Sequence, residues 1–380
     1  MNFNKEELER YSRHLIIPEF NIEGQRKLKN AKVLVVGSGG LGSPLLLYLT
    51  AAGVGTIGVV DFDVVDETNL QRQVLFSVED VGEPKVSAAI KRLRGLNPHV
   101  KLIPHNTQLT SENALEIIKD YDLVADGTDN FPTRYLVNDA CVILDKPNVY
   151  ASIFRFEGQV SVFNYTDSDG NNGPHYRDLF PSPPPPGLVP SCAEGGVIGV
   201  LPGIVGTMQA NEVIKVITGV GDPLVGRLFL FDALNFETRT LKIHKDPNGK
   251  PIKTLIDYEI FCGISSKNTN GEESKVKEIS VNQLEQWQNQ NEDFQLIDVR
   301  EPYEYEIANL KGDLIPLAEI EAAVDKIASD KKVVVHCRSG VRSAKAIVQL
   351  EAKYGFNNLY NLAGGILAYA EEIDTNLAKY

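Results

Sequence analysis

Between an apolar strand, Lys32–Val36, and a helical stretch from Ser43 to Ala52, the chain reads Gly37-Ser38-Gly39-Gly40-Leu41-Gly42. A Gly-x-Gly-x-x-Gly turn at that junction lets the main chain bend tightly and approach a phosphate, which the helix N-terminus then stabilises. Asp61 lies 19 residues beyond Gly42, at the end of the next strand, Gly55–Val60. That placement suits a carboxylate bonding ribose hydroxyls. The turn alone does not choose between NAD, FAD and ATP.

The pattern around the turn is that of an α/β protein. Residues 84–96, 112–120 and 131–142 read as helices, and 100–104 and Asp122–Ala125 as strands. Strands alternating with helices imply a parallel sheet with right-handed crossovers. Residues 5–29 read as helical, 151–163 as one alternating strand, 202–218 as a helix and 225–243 as two strands. The segment PSPPPPGLVP at 181–190 excludes a helix interior or a central strand. Two readings stay open for it, a solvated linker and a stiff loop crossing an active site. The polar, aperiodic stretch 264–276 divides the chain into 1–263 and 277–380. A second α/β pattern follows it, with strands at Phe294–Val299 and Lys332–His336 and a helix at Ser343–Tyr354.

Charge and composition narrow the function classes. The net charge of −13 falls almost equally on either side of residue 276, which argues against nucleic acid as the main partner. No apolar run reaches the roughly 18 residues of a membrane span, and the charged start MNFNKEELERYSRHL lacks a signal-peptide core. A cytoplasmic enzyme, without nucleic acid or membrane as partner, is the expectation.

Downstream of the turn come Asp61 and Asp63, then Thr68-Asn69-Leu70-Gln71-Arg72-Gln73, Lys85 after Gly82-Glu83-Pro84, and Asp126-Gly127-Thr128-Asp129-Asn130 with Arg134. Arg72 and Lys85 offer cations for phosphates, and Asp129 a hard oxygen ligand for Mg2+. Taken singly, Arg13, Arg72 and Lys85 read as surface ion-pair partners and Asp129 as a helix N-cap. As an ordered set with the glycine turn, they suit a nucleoside triphosphate split at its α-phosphate.

These residues resemble the MoeB/ThiF/HesA family of adenylyltransferases, relatives of the ubiquitin-activating enzymes. The likeness runs from about Tyr11 to Gly263 and includes Arg10-Tyr11-Ser12-Arg13, Glu157-Gly158-Gln159 and Ser191-Cys192-Ala193-Glu194-Gly195-Gly196-Val197. It implies a Rossmann-like adenylation domain with a mixed sheet. It also implies ATP-dependent adenylation of the C-terminal glycine of a ubiquitin-like sulfur carrier ending in Gly-Gly. By the same resemblance, Gly37, Gly39, Gly40, Gly42, Asp61, Asp63, Thr68, Asn69, Arg72, Gln73, Lys85, Asn130 and Arg134 would hold the nucleotide, and Asp129 would hold Mg2+. Arg13 would reach the phosphates of a neighbouring subunit, which implies a homodimer.

The four cysteines form no C-x-x-C pair. Cys337, in His336-Cys337-Arg338-Ser339-Gly340-Val341-Arg342-Ser343, stands between a strand and a helix. A helix N-terminus flanked by Arg338 and Arg342 stabilises an anion there. Arginine falls five positions after the cysteine, not the six of a phosphatase loop, so the cradle is smaller and suits sulfur. With Leu296-Ile297-Asp298-Val299-Arg300-Glu301-Pro302-Tyr303-Glu304-Tyr305, the segment 277–375 resembles the rhodanese domain, a small α/β sulfurtransferase fold. That likeness implies a persulfide on Cys337, with Arg342 in its loop and Asp298 and Arg300 as structural supports. The sulfur would come from a donor such as a cysteine desulfurase or thiosulfate. Where rhodaneses often carry Gly-His-Ile-x-Gly-Ala, this chain has Ala308-Asn309-Leu310-Lys311-Gly312-Asp313.

In the adenylyltransferase family, the cysteine matching Cys192 lies on the loop over the adenylate and joins sulfur transfer; Cys141 reads as core. Many family members also hold a structural zinc with two C-x-x-C pairs. Here the first would fall on Pro174-His175-Tyr176-Arg177-Asp178 and the second near Cys262, so no structural zinc is expected. Two rivals remain. One is a ubiquitin-like activator forming a thioester at Cys192 with a regulatory rhodanese domain. The other is an NAD-binding sensor with a redox cysteine. The sequence does not choose among molybdopterin, thiamine or another thiolation pathway.

Overall fold

The structure, a computed structural model, describes residues 3–167, 170–185, 195–263 and 276–380. The chain divides into two compact units, Met1–Lys267 and Asn268–Tyr380. Cys192 and most of the 264–276 stretch lie outside the described residues. No described helix is long and apolar enough to cross a membrane.

In the first unit eight strands form one sheet in the order β3-β2-β1-β4-β5-β6-β7-β8. These are β1 Lys32–Val36, β2 Thr56–Asp61, β3 Lys101–Asn106, β4 Leu123–Asp126, β5 Asn148–Phe154, β6 Glu157–Phe163, β7 Arg227–Asp232 and β8 Glu237–Lys242. β3 through β5 run parallel, and β5 through β8 antiparallel. The run KVLVV of β1 is apolar without alternation because both sheet faces are covered. Val33 and Val35 join the cluster under the Gly42–Ala52 helix through Leu45, Leu46 and Leu49. Leu34 and Val36 join a second cluster on the other face, with Val124, Tyr135 and Val137. A 19-residue helix, Val200–Thr218, crosses behind the turn. It approaches closely because position 206 is glycine: a Cβ there would meet the Leu41 carbonyl at 2.5 Å.

Two elements differ from the sequence expectation. The helical stretch 5–29 is three helices, Lys5–Arg10, Ser12–Leu15 and Asn21–Asn30, with Pro18, which has no amide hydrogen, in the last gap. The strand expected at 151–163 is the β5–β6 hairpin. Alternation continues on both arms, and the two-residue turn at Arg155-Phe156 carries no glycine to mark it; Arg155 takes φ +53°.

The second unit is a five-stranded parallel sheet, order β11-β10-β12-β13-β9. Its strands are β9 Glu278–Ile279, β10 Phe294–Asp298, β11 Asp313–Leu314, β12 Lys332–His336 and β13 Leu359–Leu362. The loop after β12, carrying Cys337, leads into the helix Val341–Tyr354.

The stretch where zinc thiolates would fall in relatives is stapled by an ion pair. Arg177 donates to Asp139 through Nε at 2.8 Å and Nη2 at 2.7 Å, and the Tyr258 hydroxyl donates to the same carboxylate at 2.8 Å. The guanidinium lies 4.7 Å from the Phe261 ring and 4.8 Å from Tyr135. Asp178 accepts from the His175 and Asp246 amides. This joins the 174–180 loop, the Phe131–Ile143 helix and the short helix Tyr258–Phe261. Arg177→Met leaves the mostly buried Asp139 uncompensated, and unfolding free energy should fall by about 3 kcal/mol. Chemical denaturation measures that loss, and an unchanged midpoint would remove the staple from the account.

Candidate active sites

Sheet order reverses between β1 and β4, and there the strand ends open a crevice suited to ligands. The glycine turn leaves β1 into it. Gly37 takes φ +89°, and a Cβ on Gly42 would lie 2.0 Å from the Gly37 carbonyl, so both are fixed by the turn itself. Gly39 and Gly40 line the cavity; a Cβ on Gly39 would meet the Gln73 amide nitrogen at 3.5 Å, and one on Gly40 would crowd Pro202 at 3.2 Å. Asp61, ending β2, is held from both sides: the Ser38 amide and hydroxyl donate to Oδ2 at 2.8 and 2.7 Å, and the Asp63 amide donates to Oδ1 at 3.0 Å. Its carboxylate is thereby locked to the turn and aimed at the same cavity.

That cavity is lined by Gly37, Gly39, Gly40, Asp61, Asp63, Arg72, Gln73, Lys85, Asp129, Asn130 and Arg134 among the residues singled out from sequence. Lys85 opens the helix Lys85–Leu96 and is held by Asp63 at 2.9 Å. Arg72 reaches in from the turn after Asn69, with Nη1 donating to the Thr68 carbonyl. Thr68 and Asn69, expected to hold the nucleotide, are not among the lining residues; Asn69 acts on the wall through Gln73, whose Nε2 donates to Asn69 Oδ1 at 2.7 Å. Gln73 Oε1 is buried and takes no hydrogen bond, a polar atom waiting for a donor. Arg134 is buried, donates to the Thr128 carbonyl at 3.1 Å and lies over the Phe131 and Tyr150 rings.

The N-cap expected as the alternative for Asp129 belongs instead to Asn130, whose side chain accepts from the Thr133 amide at 3.0 Å. Asp129 is exposed and takes no hydrogen bond from a described residue. Asp126, ending β4, is fully buried; burial raises its pKa, against hydrogen bonds from Thr128. Arg13 sits exposed on the Ser12–Leu15 helix, outside this cavity. Phe62, Thr107, Gln108, Leu109 and Ile153 also line it and were not singled out from sequence.

The donor set fits a nucleoside triphosphate. Carboxylate, cations and an open glycine cradle converge at a parallel strand end, and an exposed aspartate stands beside them. No group of three or more His, Cys, Asp or Glu side chains among the described residues is placed to hold a metal. A Mg2+ held by Asp129 would therefore take its remaining ligands from phosphates and water, as that ion commonly does.

In the second unit Cys337 follows β12 directly and is 1% exposed. The Gly340 amide donates to its Sγ at 3.1 Å, and the Ser343 hydroxyl lies 3.5 Å from it. The Cys337 carbonyl accepts from the Ile366 amide at 2.9 Å, which ties the loop to the Gly365–Glu372 helix. Arg342 is clasped in a fork by Glu304 at 2.6 Å on both arms. Burial would raise the Glu304 carboxyl, but hydrogen bonds from Arg342 and the Glu301 amide outweigh it and hold the group below its usual range. Glu304 was not singled out from sequence. Arg300 is fully buried; it pairs with Asp298 and donates to the carbonyls of Glu304 and Ala308 at 3.2 and 2.7 Å. Both therefore act as supports. Burial pushes His336 down to about 4, so the ring beside Asp298 is neutral at physiological pH. Tyr380 closes this side through contacts with Arg300 and Arg338. Cys141 is core, as expected, with burial raising its thiol.

A mixed sheet with a glycine-lined nucleotide cavity, followed by a parallel unit with a cysteine loop, defines a nucleotide-dependent transferase joined to a second transferase module. The ThiF family model matches residues 11–252, and the rhodanese-like domain matches 280–372. The chain is 48% identical over 380 residues to a probable adenylyltransferase/sulfurtransferase MoeZ of Mycobacterium tuberculosis, covering 99% of this chain and 96% of that one. It is 55% identical over 270 residues to a sulfur carrier protein adenylyltransferase of Thermus thermophilus, covering 70% of this chain and all of that one. The crystal structure of E. coli MccB superposes with a TM-score of 0.57 at 21% identity, over 67% of this chain and 74% of that one, which speaks for the fold. The chain belongs to the ThiF family and carries a C-terminal rhodanese-like domain. It is an enzyme, an adenylyltransferase and sulfurtransferase.

Proposed function

We propose that the chain adenylates the C-terminal glycine of a ubiquitin-like sulfur carrier, MoaD- or ThiS-like and ending in Gly-Gly, and then converts it to a thiocarboxylate with sulfur held on Cys337. The observation that carries the reading is convergence. Asp61, Arg72, Lys85 and Asp129 are spread over 68 positions of sequence, yet all line one cavity at the glycine turn.

In the first half-reaction Asp61 orients the ribose, while the turn and Lys85 hold phosphates. The carrier's carboxylate oxygen attacks the α-phosphorus, and pyrophosphate leaves. Negative charge grows on the α-phosphate oxygens, where Arg72 stabilises it. Mg2+ at Asp129 would neutralise phosphate charge. Arg13 reaches the phosphates of a neighbouring subunit, so the working form is a homodimer.

In the second half-reaction the outer sulfur of a Cys337 persulfide attacks the acyl carbonyl and AMP leaves, giving an acyl disulfide. A Cys192 thiol then attacks the Cys337 sulfur and expels the thiocarboxylate. The resulting Cys192–Cys337 disulfide is reopened by an external dithiol. A cysteine desulfurase or thiosulfate replenishes the sulfur. Placing both centres on one chain raises the effective concentration of the sulfur donor.

The test is intact mass of candidate carriers with the enzyme, a sulfur donor and reductant, with and without ATP. The expected result is ATP-dependent replacement of one oxygen by sulfur on one carrier, with pyrophosphate released. Pyrophosphate release with every carrier mass unchanged would refute the sulfur half.

A further inference from the structure

The loop that carries the sulfur rests on a turn that the sulfur-transfer scheme does not use. Ala363-Gly364-Gly365 leads from β13 into the Gly365–Glu372 helix. Gly364 and Gly365 take φ +73° and +60°. The Cys337 carbonyl accepts from the Ile366 amide at 2.9 Å, and the Arg338 carbonyl from the Leu367 amide at 3.1 Å. Gly365 lies against both carbonyls: a Cβ there would stand 2.5 Å from the Cys337 oxygen and 2.6 Å from the Arg338 oxygen. Further along the loop, Gly340 meets the same turn. A Cβ on Gly340 would crowd the Leu362 oxygen at 3.2 Å and the Gly364 nitrogen at 3.4 Å.

This seat sets which way the loop's main chain faces. A helix N-terminus carries amides that have no partner within the helix. Two of them here take the first two carbonyls of the loop, so those oxygens point at the helix. A carbonyl turned inward would set its lone pairs against those of the sulfur, whereas an inward amide donates to it. With the carbonyls engaged, the Gly340 amide faces Sγ at 3.1 Å. The seat closes only if residue 365 has no side chain.

We infer that Gly365 is a positioning residue for sulfur transfer, acting through the main chain of Cys337 and Arg338, which it lets dock on the helix N-terminus so that Sγ is held in place. The consequence for catalysis rests on the reading of Cys337 as the sulfur carrier. Gly364 supplies a comparison within the same turn. It has a like left-handed backbone, and a Cβ there would be equally crowded, at 2.5 Å, but against Ala368 of its own helix. Substitution at either glycine imposes similar strain. Only at 365 does the added group press on the cysteine loop.

The test compares Gly365→Ala with Gly364→Ala in the full chain by two readouts. One is hydrogen exchange of the 337–342 segment, which needs no sulfur chemistry. It should quicken at least about tenfold in Gly365→Ala and stay within about twofold in Gly364→Ala. The other is sulfur loading of Cys337 from thiosulfate, with sulfite leaving, followed by the mass of the intact chain. A displacement of about 1 Å at a reacting atom costs on the order of a hundredfold. Loading at saturating thiosulfate should therefore fall by about that factor in Gly365→Ala alone, with half-saturation within about twofold. Leu367→Pro provides a variant without added bulk, since it removes the amide that the Arg338 carbonyl accepts from. The chain already carries proline at the third position of two helices, Pro44 in Gly42–Ala52 and Pro202 in Val200–Thr218. Leu367→Pro should move both readouts in the same direction by a smaller factor, and it decides the matter if Gly365→Ala does not fold. Equal effects of the two glycine substitutions, or loop exchange unchanged in both Gly365→Ala and Leu367→Pro, overturns the inference. Thiocarboxylate formation surviving Cys337→Ala would refute the proposed function, and the exchange readout would still decide the placement of the loop.

Discussion

Cys337→Ala should leave ATP–pyrophosphate exchange within about twofold of the native enzyme and reduce thiocarboxylate formation by at least about a thousandfold, because removal of a covalent nucleophile takes away an entire step. The two readouts divide along the two compact units of the chain. Cys337 belongs to the second, packed among Ile297, Val335 and Ile347, whereas the glycine turn belongs to the first. Truncation at a 1%-exposed site removes little volume, and Cys337→Ser preserves the sulfur's hydrogen-bond geometry. The serine variant should be equally inactive in sulfur transfer, which separates lost chemistry from a disturbed loop. Thiocarboxylate formed at native rates by either variant would remove Cys337 from the path.

Arg72→Ala should have the opposite reach, lowering pyrophosphate exchange about a hundred- to a thousandfold and thiocarboxylate formation with it. That is the scale on which loss of one donor to a developing oxyanion is felt. Among the described residues Arg72 hydrogen-bonds the Thr68 carbonyl and forms no ion pair, so its loss breaks no buried pair and the melting temperature should hold. Persulfide loading on Cys337, followed by mass, should also be unaffected. Exchange retained within tenfold would mean that the α-phosphate charge is met by other groups, Lys85 and Arg134 first among them. Arg72→Lys should recover only part of the activity, since an ammonium cannot present the planar fork of a guanidinium.

How much of this was written in the chain depends on whether the signal is local. β1, the glycine turn and Asp61 form one continuous stretch with a single physical purpose, and they were legible. The far wall of the cavity was not. Thr107, Gln108 and Leu109 reach it because β3 pairs in parallel with β2, placing Asn106 beside Asp61. That register is a property of the sheet, and no local periodicity reports it. Glu304 and Arg342 are 38 positions apart and unexceptional as residue types; only the fold brings them together. The β5–β6 turn was missed because an arginine occupies the positive-φ position where glycine or asparagine would announce a hairpin. The proline segment keeps its two readings: 181–185 is irregular coil, and the remainder with Cys192 lies outside the described residues.

The Arg177–Asp139–Tyr258 staple has a bearing on sulfur traffic. Thiolates gathered to hold a fold together are also places where mobile sulfur can be stranded, or where an oxidant can unpick the fold. Guanidinium, carboxylate and phenol do neither. Nearby, Cys262 is buried and its thiol is pushed up to about 11, and Cys141 is sealed in the core. Neither offers a ready nucleophile to a passing persulfide. Among the described cysteines of the first unit, sulfane sulfur therefore meets no exposed thiol.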